Sequence, residues 1–246
     1  MEFLPNSPIS AREPLLSAIV PAIRVDTELR RCIDSIRLAC GSDEARCEVV
    51  LVMPPDSLEE AKGLVQGVSI FVAETRRGIY SAMNDGIRAS SGRYLFFLGK
   101  DDIVLPPFGA MLDSLDRDGG SAAFCDVYWG KEGLYSGTPS RWRVLYRNFC
   151  HQGIVYSRAV IERHGPFVRR MRVQADHLLN IRLLWDSRLA PNIRYFRGGL
   201  VWYAADGYSS VARDPVFWRL YPTIVHRYVG YFASLLLSLS RKLRGK

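Results

Sequence analysis

A chain of 246 residues can fold as one large α/β domain, or as one domain with a short appendage, and 48% hydrophobic with 24% charged residues excludes both a disordered chain and a polytopic membrane protein. The 33 Lys and Arg against 25 Asp and Glu leave a formal charge of +8, which points to an anionic partner: nucleic acid, acidic lipid or a phosphorylated substrate. Five scattered cysteines (Cys32, Cys40, Cys47, Cys125, Cys150) form no C-x-x-C pair and read as buried thiols of a reducing compartment; Met1 to Asn6 shows no signal-peptide pattern, so a cytoplasmic protein is expected.

In chain order, residues 1–14 carry three prolines and read as a loose leader. Leu15 to Ile23 is an apolar run closed by Pro21, the expected first strand; Asp26-Thr27-Glu28 then offers a cap for a helix with Leu29, Cys32, Ile33 and Ile36 on one face. Cys47 to Met53 is a second strand stopped by Pro54-Pro55, Ser57 to Gln66 is helix-like, and Val68 to Ala73 is a third strand. Ile79, Ala82, Met83, Gly86 and Ile87 make an apolar stripe of helical period, and Tyr94 to Leu98 is a buried strand that delivers Gly99-Lys100-Asp101-Asp102 to the loop beyond the sheet. Strands alternating with helices predict a mostly parallel sheet with right-handed crossovers, and ligands in such folds lie outside the carboxyl ends of the strands.

Further on, a helix from Pro106-Pro107 through Leu115 and a strand from Ala122 to Trp129 are expected, with a turn-rich stretch at Tyr135 to Ser140. The interval 137–174 holds eight arginines (Arg141, Arg143, Arg147, Arg158, Arg163, Arg169, Arg170, Arg172) against Glu162; it is either a solvated basic face or a face for phosphates or anionic lipid. Ile193 to Ala205 is strand-rich with a turn or bulge at Gly198-Gly199, and helical patterning resumes at Pro215.

The stretch Gly78-Ile79-Tyr80-Ser81-Ala82-Met83-Asn84-Asp85-Gly86-Ile87, followed by the aromatic strand and Asp101-Asp102, resembles the inverting family 2 glycosyltransferases of GT-A fold, in particular the bacterial branch that builds capsule, exopolysaccharide and O-antigen sugars. Phe149 to Tyr156 resembles the family's His-Gln strand, Ile161 to Phe167 its helix end, and Ala175 to Leu183 its acceptor-side helix. The resemblance implies a Rossmann-like, mostly parallel sheet flanked by helices, with a nucleotide-sugar half at 15–105 and an acceptor half at 106–213; the residue pattern beyond them predicts a C-terminal amphipathic helix at 214–246. It implies a nucleotide-sugar donor, a glycan or lipid-linked acceptor, and Mg²⁺ or Mn²⁺. By the same resemblance the metal falls to Asp102 and the ribose or nucleotide to Asp101, with Pro21, Asp56, Glu74, Arg77, Gly78, Asn84, His151 and Gln152 completing the donor side and Asp176 the catalytic base. Two positions depart from the pattern: the acid expected after the second strand is displaced to Asp56 or absent, and Ser81 stands where relatives often carry Asp.

The chemistry explains why these residue types belong there. A carboxylate-held dication stabilises a departing diphosphate without proton transfer, and a carboxylate at a helix start can take the proton of an attacking hydroxyl. Each assignment has a structural rival: Asp101-Asp102 as a solvated turn, Asp176 as a helix cap, His151 as a satisfied core residue, Arg77 as a solvated side chain, Asn84 as a structural hydrogen-bonder. Asp186 and Asp206 are weaker base candidates, outside any matching motif. A nucleic-acid reader would rest on the charge alone and no docking motif is present, so no nucleic-acid partner is expected; a catalytically silent nucleotide-binding or scaffold relative stays open because of the two departures. At the C-terminus Phe232, Leu236, Leu239 and Leu243 share a helix face, and residues 214–246 carry six basic residues against Asp214. Too short to span a bilayer, this segment would lie peripherally on an anionic membrane surface or dock on its own domain.

Overall fold

The computed structural model describes residues 13–41, 43, 46–204 and 214–231. Six consecutive buried residues, Leu16–Pro21, form β1, paired in parallel with β2 (Cys47–Met53) on one side and β4 (Tyr94–Phe97) on the other. Such continuous apolar strands are what a parallel sheet covered on both faces requires. Beyond β2 lies β3 (Ile70–Ala73), also parallel, so the chain reverses its winding between β1 and β4. That reversal opens a crevice at the carboxyl ends of those two strands.

Past β4 antiparallel pairing enters. Among the described residues the sheet has nine strands and runs β3-β2-β1-β4-β8-β6-β9-β5, with β5 Ile103–Val104, β6 Ala122–Trp129, β8 Ile154–Ser157 and β9 Ile193–Tyr203, while β7 (Gly133–Tyr135) extends β6 as a hairpin. β8, β5 and β7 run against the rest; β6 and β9 keep the direction of β4. The bulge expected at Gly198-Gly199 is present: opposite Cys125-Asp126-Val127, β9 steps from Phe196 to Gly199 to Val201. Asp126 fixes this step, accepting from the Gly198 N–H (2.9 Å), the Tyr195 hydroxyl (2.7 Å) and the Gly137 N–H (2.8 Å).

Helices cover both faces. α1 (Thr27–Cys40), α2 (Pro55–Leu64) and α4 (Phe108–Asp118) pack over Ala18, Val20, Leu51 and Phe96; α3 (Ile79–Ala89), α5 (Arg158–His164), α6 (Ala175–Leu184) and α7 (Pro215–Val229) cover Ile19, Val50, Phe97 and Phe124. Alternate residues of each strand thus feed alternate cores. α1 starts where its sequence indicates, with Asp26 accepting from the Leu29 N–H at 3.0 Å. α3 lies so close on β1 that a β-carbon at Gly86 would meet Ile19 Cγ2 at 2.5 Å, which is why glycine occupies this helix interior.

The apolar stripe of α3 departs from its pattern at one end: Ile79 is 42% exposed and Tyr80 is buried in its stead. Four arginines of the 137–174 interval are held by different partners. Arg158 bonds Gly92 O and Ser90 Oγ, and Arg163 pairs with Asp186, while Arg143 and Arg147 lie over Tyr135. α7 turns Phe217, Tyr221, Ile224 and Val225 onto its own domain, with His177 stacked on Phe217, and closes at Gly230 (φ +105°). Phe232, Leu236, Leu239 and Leu243 lie outside the described residues, as do residues 1–12 and Asp206. No helix among the described residues is long and apolar enough to cross a membrane.

Candidate active site

The loop after β4 turns tightly at Gly99, where the Asp102 carboxylate accepts from the Gly99 N–H (2.7 Å) and from the Ala204 N–H (3.2 Å) at the end of β9. Asp102 is fully buried; burial first, then the neighbouring Asp101 charge, pushes its pKa up to about 7. A β-carbon on Gly99 would lie 2.7 Å from Asp101 Oδ1 and 2.9 Å from Asp102 Oδ2, so the glycine leaves a hollow on which both carboxylates converge. Beside it Lys100 bridges Asp26 (2.9 Å) and Glu28, tying this turn to the start of α1. Burial works against ionisation of Asp26, but the Leu29 N–H, Lys100 and Arg24 together bring it down to about 2.

Among the described residues no three His, Cys, Asp or Glu side chains gather as a metal-binding group. Two carboxylates nonetheless fit a hard dication that shares its remaining positions with substrate phosphates and water, as Mg²⁺ commonly does. A buried carboxylate whose charge is opposed by its neighbour is the electrostatic setting that a bound cation relieves.

The second acid sits across a turn. Asp176, in the first turn of α6, is 6% exposed; Oδ1 accepts from the Tyr80 hydroxyl and Oδ2 from Asn148 Nδ2, both at 2.6 Å. These bonds come from α3 and from the segment before β8, not from its own helix, so Asp176 does not serve as a cap. Asn148 is itself held by Asn180 Nδ2 (2.9 Å), and Asn180 by the Tyr156 hydroxyl (2.9 Å). Gln174, just before α6, has φ +70°, the one left-handed non-glycine residue among those described, and so sets the entry angle of the helix that carries Asp176. Asp176 lines a cavity of about 340 Å³ with Tyr80, Trp129, Tyr135, Arg147, His151 and Tyr203.

His151 and Gln152 join the two acids. They occupy a 3₁₀ turn, His151–Gly153, ahead of β8 and not a strand. The Gln152 amide reaches Asp102, while His151 Nδ1 stands 3.8 Å from Asp176 Oδ2. Burial lowers the His151 pKa against the pull of Asp176, so the ring is neutral near pH 7.

The other sequence-derived candidates are placed as follows. Pro21 ends β1, buried, at the crevice. Glu74 follows β3, its N–H on Met53 O at 2.8 Å and its pKa raised by burial against the charge of Arg77; Arg77 and Gly78 are exposed in the turn that leads into α3. Asp56 is exposed in the first turn of α2. Asn84 is buried, its amide bonded both ways to the Phe167 backbone (2.8 and 2.9 Å), which is a structural clamp between α3 and the segment before α6. Asp186 holds Arg163 and the Arg188 N–H beyond the end of α6. The sequence reading did not assign Tyr80, Asn148 or Arg147 to the site; Tyr80 lay inside the quoted motif, while Asn148 and Arg147 carried no spacing that marks them.

Comparison with known proteins places this geometry. The model of the family described as "Glycosyl transferase family 2" matches residues 17–178. A PGL/p-HBAD biosynthesis glycosyltransferase of Mycobacterium bovis is 34% identical over 196 residues, 72% of each chain. Among solved structures, Staphylococcus aureus TarS 1–349 superposes with a TM-score of 0.65 at 13% identity, covering 87% of this chain and 66% of that one; it is also known with UDP-GlcNAc. Glucosyl-3-phosphoglycerate synthase of Mycobacterium tuberculosis, in complex with Mn²⁺, UDP and its product, superposes at 0.53 with 18% identity over 93% of this chain and 86% of that one. The mixed sheet with helices on both faces is therefore of the GT-A type.

Proposed function

The chain belongs to glycosyltransferase family 2, and from that premise we propose that it moves a hexosyl group, with inversion, from a nucleotide-sugar donor to a hydroxyl of a glycan or lipid-linked glycan in cell-surface polysaccharide synthesis. The observation that carries the reading is Asp176, a buried carboxylate facing a cavity and held by Tyr80 and Asn148 with no cap role in its own helix.

In this scheme Asp176 takes the acceptor hydroxyl proton as the acceptor oxygen bonds to the anomeric carbon, and the bond from that carbon to the diphosphate breaks with its electron pair leaving on the nucleoside diphosphate. Tyr80 and Asn148 fix the two carboxylate oxygens, and neutral His151 adds no competing charge. Asp101 and Asp102 would hold Mg²⁺ or Mn²⁺, which when bound offsets the charge on the leaving diphosphate. Asp101, Glu74, Arg77 and Gly78 would face the nucleotide and diphosphate from the carboxyl ends of β3 and β4. The protein would work in the cytoplasm, peripherally at an anionic membrane surface.

A second reading, a silent nucleotide-binding relative, draws on Ser81, whose buried hydroxyl makes no hydrogen bond among the described residues where relatives often carry Asp. A panel of nucleotide sugars assayed for Mn²⁺-dependent hydrolysis separates the two. Wild type should turn over at least one donor and Asp102→Asn none, with its fold intact; equal turnover by the variant at saturating Mn²⁺ would remove Asp102 from the metal site, and no turnover by wild type would favour the silent relative.

A further inference from the structure

Among the described residues the cavity that holds Asp176 is lined by one full cation, Arg147, and its neighbour Arg143 lies against two of the lining rings. The Arg147 guanidinium carbon is 4.7 Å from the Tyr135 ring centre; that of Arg143 is 5.1 Å from Tyr135 and 4.8 Å from Phe149. Among the described residues neither guanidinium is paired with a carboxylate, in contrast to Arg24, Arg46, Arg88, Arg93 and Arg163, each of which is. Two forked cations therefore rest on aromatic faces beside a cavity whose lining, among the described residues, includes a single acid, Asp176. Asn148, next in sequence to Arg147, donates to Asp176, so both arginines belong to the segment that positions the acid.

Resting on the transfer reading above, we infer that the acceptor carries an anionic group, carboxylate or phosphate, close to the hydroxyl that is glycosylated, and that Arg147 and Arg143 bind it. A planar guanidinium matches both oxyanions with two parallel N–H bonds, and the aromatic faces pre-orient it. The pair also answers an electrostatic problem: an anionic acceptor approaching an ionised Asp176 is repelled unless cations flank the site. Asp101 and Asp102, the carboxylates expected at the diphosphate, do not line this cavity, whereas Arg147 and Asp176 do.

The test uses the full chain and three probes of one ring shape, glucose, glucuronate and glucose 6-phosphate, in ligand-observed NMR titrations at low salt without metal, together with UDP and GDP. Wild type should bind at least one charged probe on the order of 10-fold more tightly than glucose, and whether carboxylate or phosphate is preferred identifies the group. Arg143→Ala/Arg147→Ala should bring all three probes to the affinity of glucose, with UDP and GDP binding unchanged; Arg147→Lys should keep an intermediate preference, which a folding defect would not produce. No charge preference in wild type, or loss of UDP and GDP affinity in the double variant, overturns the inference. Charge preference without donor turnover in the nucleotide-sugar panel overturns the transfer reading and leaves the anion site standing.

Discussion

Tyr80→Phe isolates one bond. It deletes the hydroxyl that donates to Asp176 Oδ1 at 2.6 Å and leaves the ring against Phe167, 5.3 Å between centres. A buried hydrogen bond to a charged partner is worth about 1.5–3 kcal/mol, and loss of all of it from the transition state would be roughly a 10- to 150-fold fall in rate. Part is returned, because a carboxylate with one donor fewer is a stronger proton acceptor, so the expected fall in kcat is on the order of 10-fold. Donor KM should not change, since the deleted hydroxyl donates to Asp176, the proposed base. With the ring still packed, the stability cost is that of the bond alone, about 1.5–3 kcal/mol, and Tm should fall by roughly 3–12 °C at about 2–4 °C per kcal/mol in a chain of this size. Steady-state kinetics of nucleotide-sugar turnover, paired with a thermal melt, reads all three quantities. An unchanged kcat with a lowered Tm would reduce Tyr80 to a packing residue, and a matched rise in donor KM would place it at the donor.

Asp126→Asn should destabilise by about 3 kcal/mol, because the amide presents N–H groups to the N–H and O–H donors that fix the bulge of β9. Burial opposes ionisation of Asp126, but the Gly198 N–H, the Tyr195 hydroxyl and the Gly137 N–H hold its pKa below the ordinary 3.8; its contribution is therefore complete above 3.8 and lost as pH falls through the lower folded value. The Tm gap between variant and wild type should accordingly close only under acid, and a gap that instead narrows between pH 6 and 8 would assign the effect to another group. For the peripheral membrane reading, full-length protein should float with anionic liposomes at low but not high salt, while a chain ending near Asp214 stays behind; if both remain soluble at low salt, the C-terminal segment serves the domain or a partner.

The strands that sequence places most sharply are those buried on both faces. Cys47–Met53 and Ala122–Trp129 are found with the very bounds their apolar runs indicate: the first is a parallel strand buried throughout, which has no polar side to blur its limits, and the second is buried over its first six residues. The short antiparallel pieces escape: Ile103–Val104 and Gly133–Tyr135 are too brief for any period, and they exist through pairing with β9 and β6. Glu48 is a similar case, a buried acid in an apolar strand that accepts from Ser17 Oγ (2.6 Å) and the Ser91 N–H (2.7 Å), and only the fold explains it. For the proposed site, the resemblance carried by the motifs singles out Asp101, Asp102, His151, Gln152 and Asp176. What it leaves out is the cross-chain hydrogen bonding that aims Asp176, since Tyr80 and Asp176 are 96 residues apart. The stripe on α3 points Ile79 inward; in the folded chain the hydroxyl of Tyr80 finds Asp176, and Tyr80 takes the buried place.

The most direct test of the account is the rate of nucleotide-sugar turnover by Asp176→Asn beside its donor affinity, with water in the acceptor's place where no acceptor is supplied. Loss of a general base predicts a fall on the order of 10²-fold or more in turnover with donor binding close to wild type. Equal loss of binding and turnover, or turnover that survives, would contradict the assignment of Asp176 as the base.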